Sequence, residues 1–208
     1  MLRLLPPAAA LVLVLSLPTV AHADIIAIDF DTFTEFDALS NQVPGLTFAN
    51  ATVLTAGSSL NELEFPPRSG GNVIYDDGGF MSIAFTAPVI SFGGYFTYIG
   101  PLTLTAYDAA HNLLGEVGSL FNSNAALSGD AGSLANEFIQ FTSALGIASV
   151  TIAGQPFGGS FVMDDLTYDD GRSSQSVPEP TTFALFGVAL GVGAVRRKWR
   201  SKTTPTLS

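Results

Sequence analysis

Leu102-Thr103-Leu104-Thr105-Ala106-Tyr107 alternates apolar and polar side chains over six residues. Successive side chains of a β-strand point to opposite faces, so Leu102, Leu104 and Ala106 share one side while Thr103, Thr105 and Tyr107 share the other. One side suits a core and the other water. Outward from this stretch, short runs rich in β-branched and aromatic residues recur at Ile25–Phe30, Asn72–Tyr75, Phe80–Phe85, Val89–Phe92, Phe138–Thr142, Ala148–Ile152 and Ser160–Tyr168. Gly, Pro, Asn, Asp and Ser separate them, which is the pattern of strands and turns. Roughly eight to ten such strands predict two packed antiparallel sheets, an all-β sandwich or jelly roll. A helix is expected to interrupt near Thr32–Leu39, and 122–133, with its Gly, Ser, Asn and Ala, reads as a long exposed loop open to variation.

The chain has 208 residues, 47% of them hydrophobic and 12% charged. That suffices for one domain plus ends. It contains no cysteine, which excludes thiolate catalysis, iron–sulfur clusters and a disulfide framework. Between Asp24 and Ser176, 17 carboxylates face only Arg68 and Arg172, a balance of −15. No cationic surface for a phosphate backbone can be built from that, so nucleic acid is excluded as a partner.

The remaining positive charge is at the ends. Residues 1–23 begin with Arg3, run through the apolar stretch Ala8–Leu17 and finish Ala21-His22-Ala23. This is the layout of a secretory signal peptide with a small-x-small cleavage site, so the mature chain is expected to start at Asp24. The β-sandwich domain is expected over 24–172, followed by a linker over 173–180. A membrane-spanning helix with a basic stop follows at 181–200, and a cytoplasmic tail at 201–208. The apolar part, Thr181–Val195, is short for a bilayer and makes a weak permanent anchor. Arg196, Arg197, Lys198 and Arg200 behind it are placed on the cytoplasmic side by the positive-inside rule, so the domain faces the exported side. Ahead of it, Pro178 and Pro180 flank Glu179. Both prolines lack an N–H and bias the preceding residue to extended geometry, which keeps this element stretched and accessible.

Val177-Pro178-Glu179-Pro180, the glycine-bearing apolar segment and Arg196-Arg197-Lys198-Trp199-Arg200 together resemble the tripartite tail of the PEP-CTERM family of exported bacterial proteins. The resemblance covers residues 177–200. It implies a sorting signal recognised by an exosortase in the inner membrane, with Pro178, Glu179 and Pro180 as the recognition element. It also implies the company of extracellular polysaccharide, and a precursor that faces the periplasm before the product reaches the cell surface or medium. Ile28-Asp29-Phe30-Asp31, Ala106-Tyr107-Asp108-Ala109 and Phe161–Tyr168 are similar, more loosely, to the β-sandwich domains that precede such tails.

Candidate chemistry is sparse. The one histidine of the mature domain, His111, falls on a turn, and no Gly-x-Ser-x-Gly elbow accompanies it, so a hydrolytic triad is not supported. The expected protein is non-catalytic; the alternative is a surface glycan-active enzyme, a carboxylate-based hydrolase, using the same tail. Strict alternation in the last strand puts Val162, Asp164, Leu166 and Tyr168 on one face. A carboxylate there must take backbone donors, pair with a cation, or ligate a hard cation such as calcium. If the first and last strands lie side by side, Asp29 or Asp31 approaches Asp164, and these three are the candidate calcium ligands. For a carbohydrate, which favours exposed aromatic rings, the candidates are Tyr95 and Tyr98, around Gly93-Gly94 and Gly100.

Overall fold

The computed structural model describes residues 23–173, one compact unit. The signal peptide apart from Ala23, the Pro178-Glu179-Pro180 element, the helix and basic stop expected over 181–200 and the tail lie outside the described residues. No helix occurs among the described residues.

Nine strands follow in order: β1 Ala23–Ile28, β2 Leu46–Ala49, β3 Ala51–Thr55, β4 Asn72–Asp76, β5 Met81–Tyr98, β6 Thr103–Tyr107, β7 Leu113–Gly118, β8 Glu137–Ala153 and β9 Phe161–Ser173. All pairings are antiparallel. Hydrogen bonds connect them in the path β3-β4-β9-β5-β8-β6-β7, with β1 on β9 and β2 on β5. Two long strands turn this path into a sandwich. The first half of β5 pairs with β2 and with 149–152 of β8, whereas 91–98 pairs with β9 and with 137–142 of β8. The register breaks between Ala84 and Ser91, where Pro88 cannot donate to the ladder and Gly146 opposite it adopts φ +86. β5 and β8 thus each serve two layers: β3-β4-β9-β5-β8, with β1, and β2-β5-β8-β6-β7.

The inner faces of both layers form one core. Ile83, Leu104, Val150 and Ile152 of the second layer belong to the same buried cluster as Ile74, Phe92, Phe96 and Met163 of the first. Phe85 packs edge-on against Phe92 at 6.0 Å and lies 5.7 Å from Tyr168.

Several expectations need correction. Thr32–Leu39 forms turns, because Phe36 and Leu39 donate backbone hydrogen bonds to Val53 and Ala51 rather than closing helical turns. Segment 122–133 is the largely exposed loop expected, but it is anchored at its buried Asn124. Fully buried Asn124 accepts from Tyr98 N at 2.7 Å and donates to the carbonyls of Phe96 and Leu134, and Asp130 accepts from Asn122 N. In β9 the alternation does not persist. The β5–β9 register shifts between Gly93 and Tyr95, and opposite that break Asp165 adopts φ +45. One extra residue reverses the phase, so Val162 and Asp164 face outward while Leu166 and Tyr168 face the core.

Candidate functional site

The outer face of the first layer carries two of the predicted residues, Tyr95 and Asp164. On β5, Phe92, Phe96 and Tyr98 are fully buried in the core, so the pleat sends Gly93, Tyr95 and Thr97 outward. Tyr95 pairs with Phe138 on β8 and with Asp164 on β9. Gly93 is required beside them: a Cβ there would meet the Phe138 ring at 2.9 Å and the Ile139 carbonyl at 3.1 Å.

Asp164 is only 1% exposed, although it faces outward. A roof covers it. One oxygen accepts from Arg68 N at 2.8 Å and Ser69 N at 2.9 Å, and the other from Asp165 N at 2.7 Å. Burial pushes its carboxyl up to about 6, against the lowering effect of those backbone donors. Asp165 accepts from the Ser69 hydroxyl at 2.7 Å. Asp31 holds the next part of the same segment, accepting from Gly71 N at 2.8 Å and Asn72 N at 3.0 Å. β1 and β9 are neighbours, and Asp31 and Asp164 converge on the single segment 68–72. Asp29 does not join them; it accepts from Asp31 N at 3.2 Å on the exposed side. Of the three ways to satisfy Asp164, backbone donors are the one in place. No group of three His, Cys, Asp or Glu side chains able to hold a metal ion occurs among the described residues.

The two tyrosines have different environments. Tyr95 is half-buried: its ring lies 5.0 Å from that of Phe138, which is 44% exposed, and the Arg68 guanidinium sits 4.8 Å above it. An aromatic pair flanked by a cation is therefore open to solvent, with exposed Gln140 beside it on β8. Tyr98 has no surface to offer. Its ring is in the core, its hydroxyl donates to Glu137 and accepts from Phe121 N at 3.3 Å, and burial, followed by Glu137, pushes it up to about 12. The physical reason is parity: residues three apart in a strand point to opposite faces.

Sequence reasoning missed Phe138 and Arg68. Phe138 was legible as a strand residue, but its place beside Tyr95 depends on a pairing 43 residues distant in sequence. Arg68 stands over Tyr95 on a backbone that Asp164 holds through the Arg68 N–H.

Carboxylates elsewhere also close turns. Asp76, fully buried, accepts from Ser160 N, Phe161 N and the Ser160 hydroxyl, and burial raises its carboxyl. Asp108 caps the β6–β7 hairpin through Ala110 N and Asn112 N, and the Asn112 side chain leads in holding it low. His111 is exposed on that turn with φ +59.

Comparison with known proteins adds the tail. Residues 176–198 match the PEP-CTERM protein-sorting motif, so the chain carries that signal. No curated protein matches the chain in sequence. Among solved structures, a DUF4465 family protein from Bacteroides caccae is 14% identical with a TM-score of 0.47, covering 71% of this chain and 99% of its own. The K2 cleaved adhesin domain of Lys-gingipain is 13% identical with a TM-score of 0.44, covering 70% and 99%. TmCBM61, solved in complex with β-1,4-galactotriose, is 16% identical with a TM-score of 0.39, covering 68% and 94%. All three scores fall below 0.5, and none of these likenesses bears on function.

Proposed function

We propose that this is an exported bacterial envelope or extracellular protein whose C-terminal signal is processed by an exosortase, with the β-sandwich as non-catalytic cargo that associates with extracellular polysaccharide. The observation that carries the sorting half is the match of residues 176–198 to the PEP-CTERM motif. The signal peptide layout of residues 1–23 supports it, because the two ends then serve one route. Ala23 and Ser173 are partners in the β1–β9 pair, so the chain enters and leaves the domain at adjacent positions.

The half-exposed Tyr95–Phe138 pair, with Arg68 above and Gln140 beside it, supports polysaccharide contact. Rings offer the apolar faces of sugars a flat partner, and the amide and guanidinium offer hydrogen bonds to hydroxyls. The two most buried carboxylates are engaged by backbone donors, Asp164 under the roof and Asp76 inside a turn, which fits a non-catalytic role better than the carboxylate-based hydrolase. Calcium at Asp29, Asp31 and Asp164 would require the carboxylates to exchange backbone donors for a cation. A chelator that lowers the melting temperature would support that site.

The sorting reading is tested by combining Pro178→Ala, Glu179→Ala and Pro180→Ala in a cell that possesses an exosortase. The expected result is accumulation of the uncut precursor in the membrane fraction. Unchanged distribution and length would contradict it.

A further inference from the structure

Three connections meet at the end of the sandwich opposite Ala23 and Ser173: Asn50 between β2 and β3, residues 77–80 between β4 and β5, and 154–160 between β8 and β9. β9 separates the two ends by thirteen residues, roughly 40 Å at ~3.3 Å per residue. Between these connections lies a cleft of about 460 Å³, within the ~300–1,000 Å³ usual for small-molecule sites.

The walls are held in place by hydrogen bonds. Buried Asp76 ties the 77–80 turn to the 154–160 connection through Ser160 and Phe161, and Gln155 N donates to the Ser160 hydroxyl. The Asn50 side chain donates through Nδ2 to the Phe80 carbonyl at 3.0 Å, and that of Gln155 through Nε2 to the Ile99 carbonyl at 3.3 Å. Each amide is therefore oriented by its nitrogen. Neither amide oxygen accepts a hydrogen bond among the described residues, so both acceptors are left free for a ligand.

The lining has no ionisable side chain; besides the two amides it consists of glycine, alanine and proline, and the ring of Phe80. Phe80 is 58% exposed and Phe157, next in the chain to Pro156, is 92% exposed. An anionic ligand would lose water here without meeting a counter-charge, and the acidic domain repels it in addition. A ligand that fits must donate from hydroxyls to two fixed amide oxygens and lay an apolar C–H face on a phenyl ring.

We propose that this tip cleft binds a neutral saccharide between the amides of Asn50 and Gln155 and the ring of Phe80. It is a second surface, separate from the Tyr95–Phe138 face.

Calorimetric titration tests it, using the full chain in a detergent without a sugar headgroup. The probes are neutral tetrasaccharides of glucose, mannose and galactose, with tetragalacturonate as the charged counterpart. At least one neutral probe is expected to bind, with tetragalacturonate weaker by about tenfold or more. Phe80→Ala and Gln155→Ala, both at exposed positions, are each expected to weaken binding by about tenfold or more at unchanged melting temperature. Binding by none of the neutral probes, or equal binding of tetragalacturonate, overturns the proposal. So does binding that survives both variants and falls in Phe138→Ala, a result that would leave the polysaccharide reading of the sheet face standing.

Discussion

The outer face of the first layer is half roofed and half bare. Over β3, β4 and the start of β9, segment 56–72 covers the sheet, and Leu60, Val73 and Val162 form a second small core with Phe65 and Tyr75 packed against it. Over β5 and β8 the cover stops, leaving Tyr95 and Phe138 partly in water. Both halves carry large apolar side chains; what separates them is where the covering segment is anchored. Asp31 and Asp164 fix it at 68–72, and Arg68 at its margin lies on Tyr95. Two carboxylates thereby decide which apolar groups become core and which remain available for contact.

Removing the anchor should break this contrast. Asp164→Ala leaves the N–H groups of Arg68, Ser69 and Asp165 without their acceptor, and buried unsatisfied donors cost about 1–3 kcal/mol each. A net loss of about 3 kcal/mol is expected, measured as a lower urea midpoint. Amide exchange should accelerate first at 68–72. An unchanged midpoint would mean that the roof is held by its apolar underside alone.

A pH series sharpens the same point. The Asp164 carboxyl sits at about 6 in the folded protein, raised from 3.8, so the folded state binds its proton more tightly between those values. Stability from this group is therefore present in full at low pH and is lost as pH rises through 6. Burial raises Asp76 in the same direction. Between pH 7 and 4.5, Asp164 should add about 2 kcal/mol, at 1.36 kcal/mol per pH unit below 6. Thermal melts of the parent and of Asp164→Asn should differ by that much in pH dependence. Parallel curves would remove the desolvated carboxylate from the account.

On the bare half the effect on stability should be small. Phe138→Ala removes a ring that is already 44% exposed, so about 1 kcal/mol or less is expected. Its larger consequence should be weaker retention on extracellular polysaccharide in a pull-down. If retention is unaffected, the Tyr95–Phe138 face is not the contact.

How much of this was legible in sequence follows from the range of the interactions. Leu102–Tyr107 announces itself because its alternation is local, and β6 spans Thr103–Tyr107. Pro88 makes one strand read as two: 81–85 and 89–92 belong to the continuous, bent β5. β2, β3 and β7 were not marked as strands. The bulge at Asp165 is invisible to a period-2 reading, yet it decides the faces of Leu166 and Tyr168. The need of Asp164 for a partner was legible from its chemistry. The identity of that partner was not, because two of its three donors are 95 and 96 residues away.

The intact mass of the protein recovered from its producing cell tests the processing of the tail most directly. The predicted product begins at Asp24 and ends close to Pro178–Pro180, without residues 181–208. A mass that retains 181–208, in a cell making the exosortase, would contradict it.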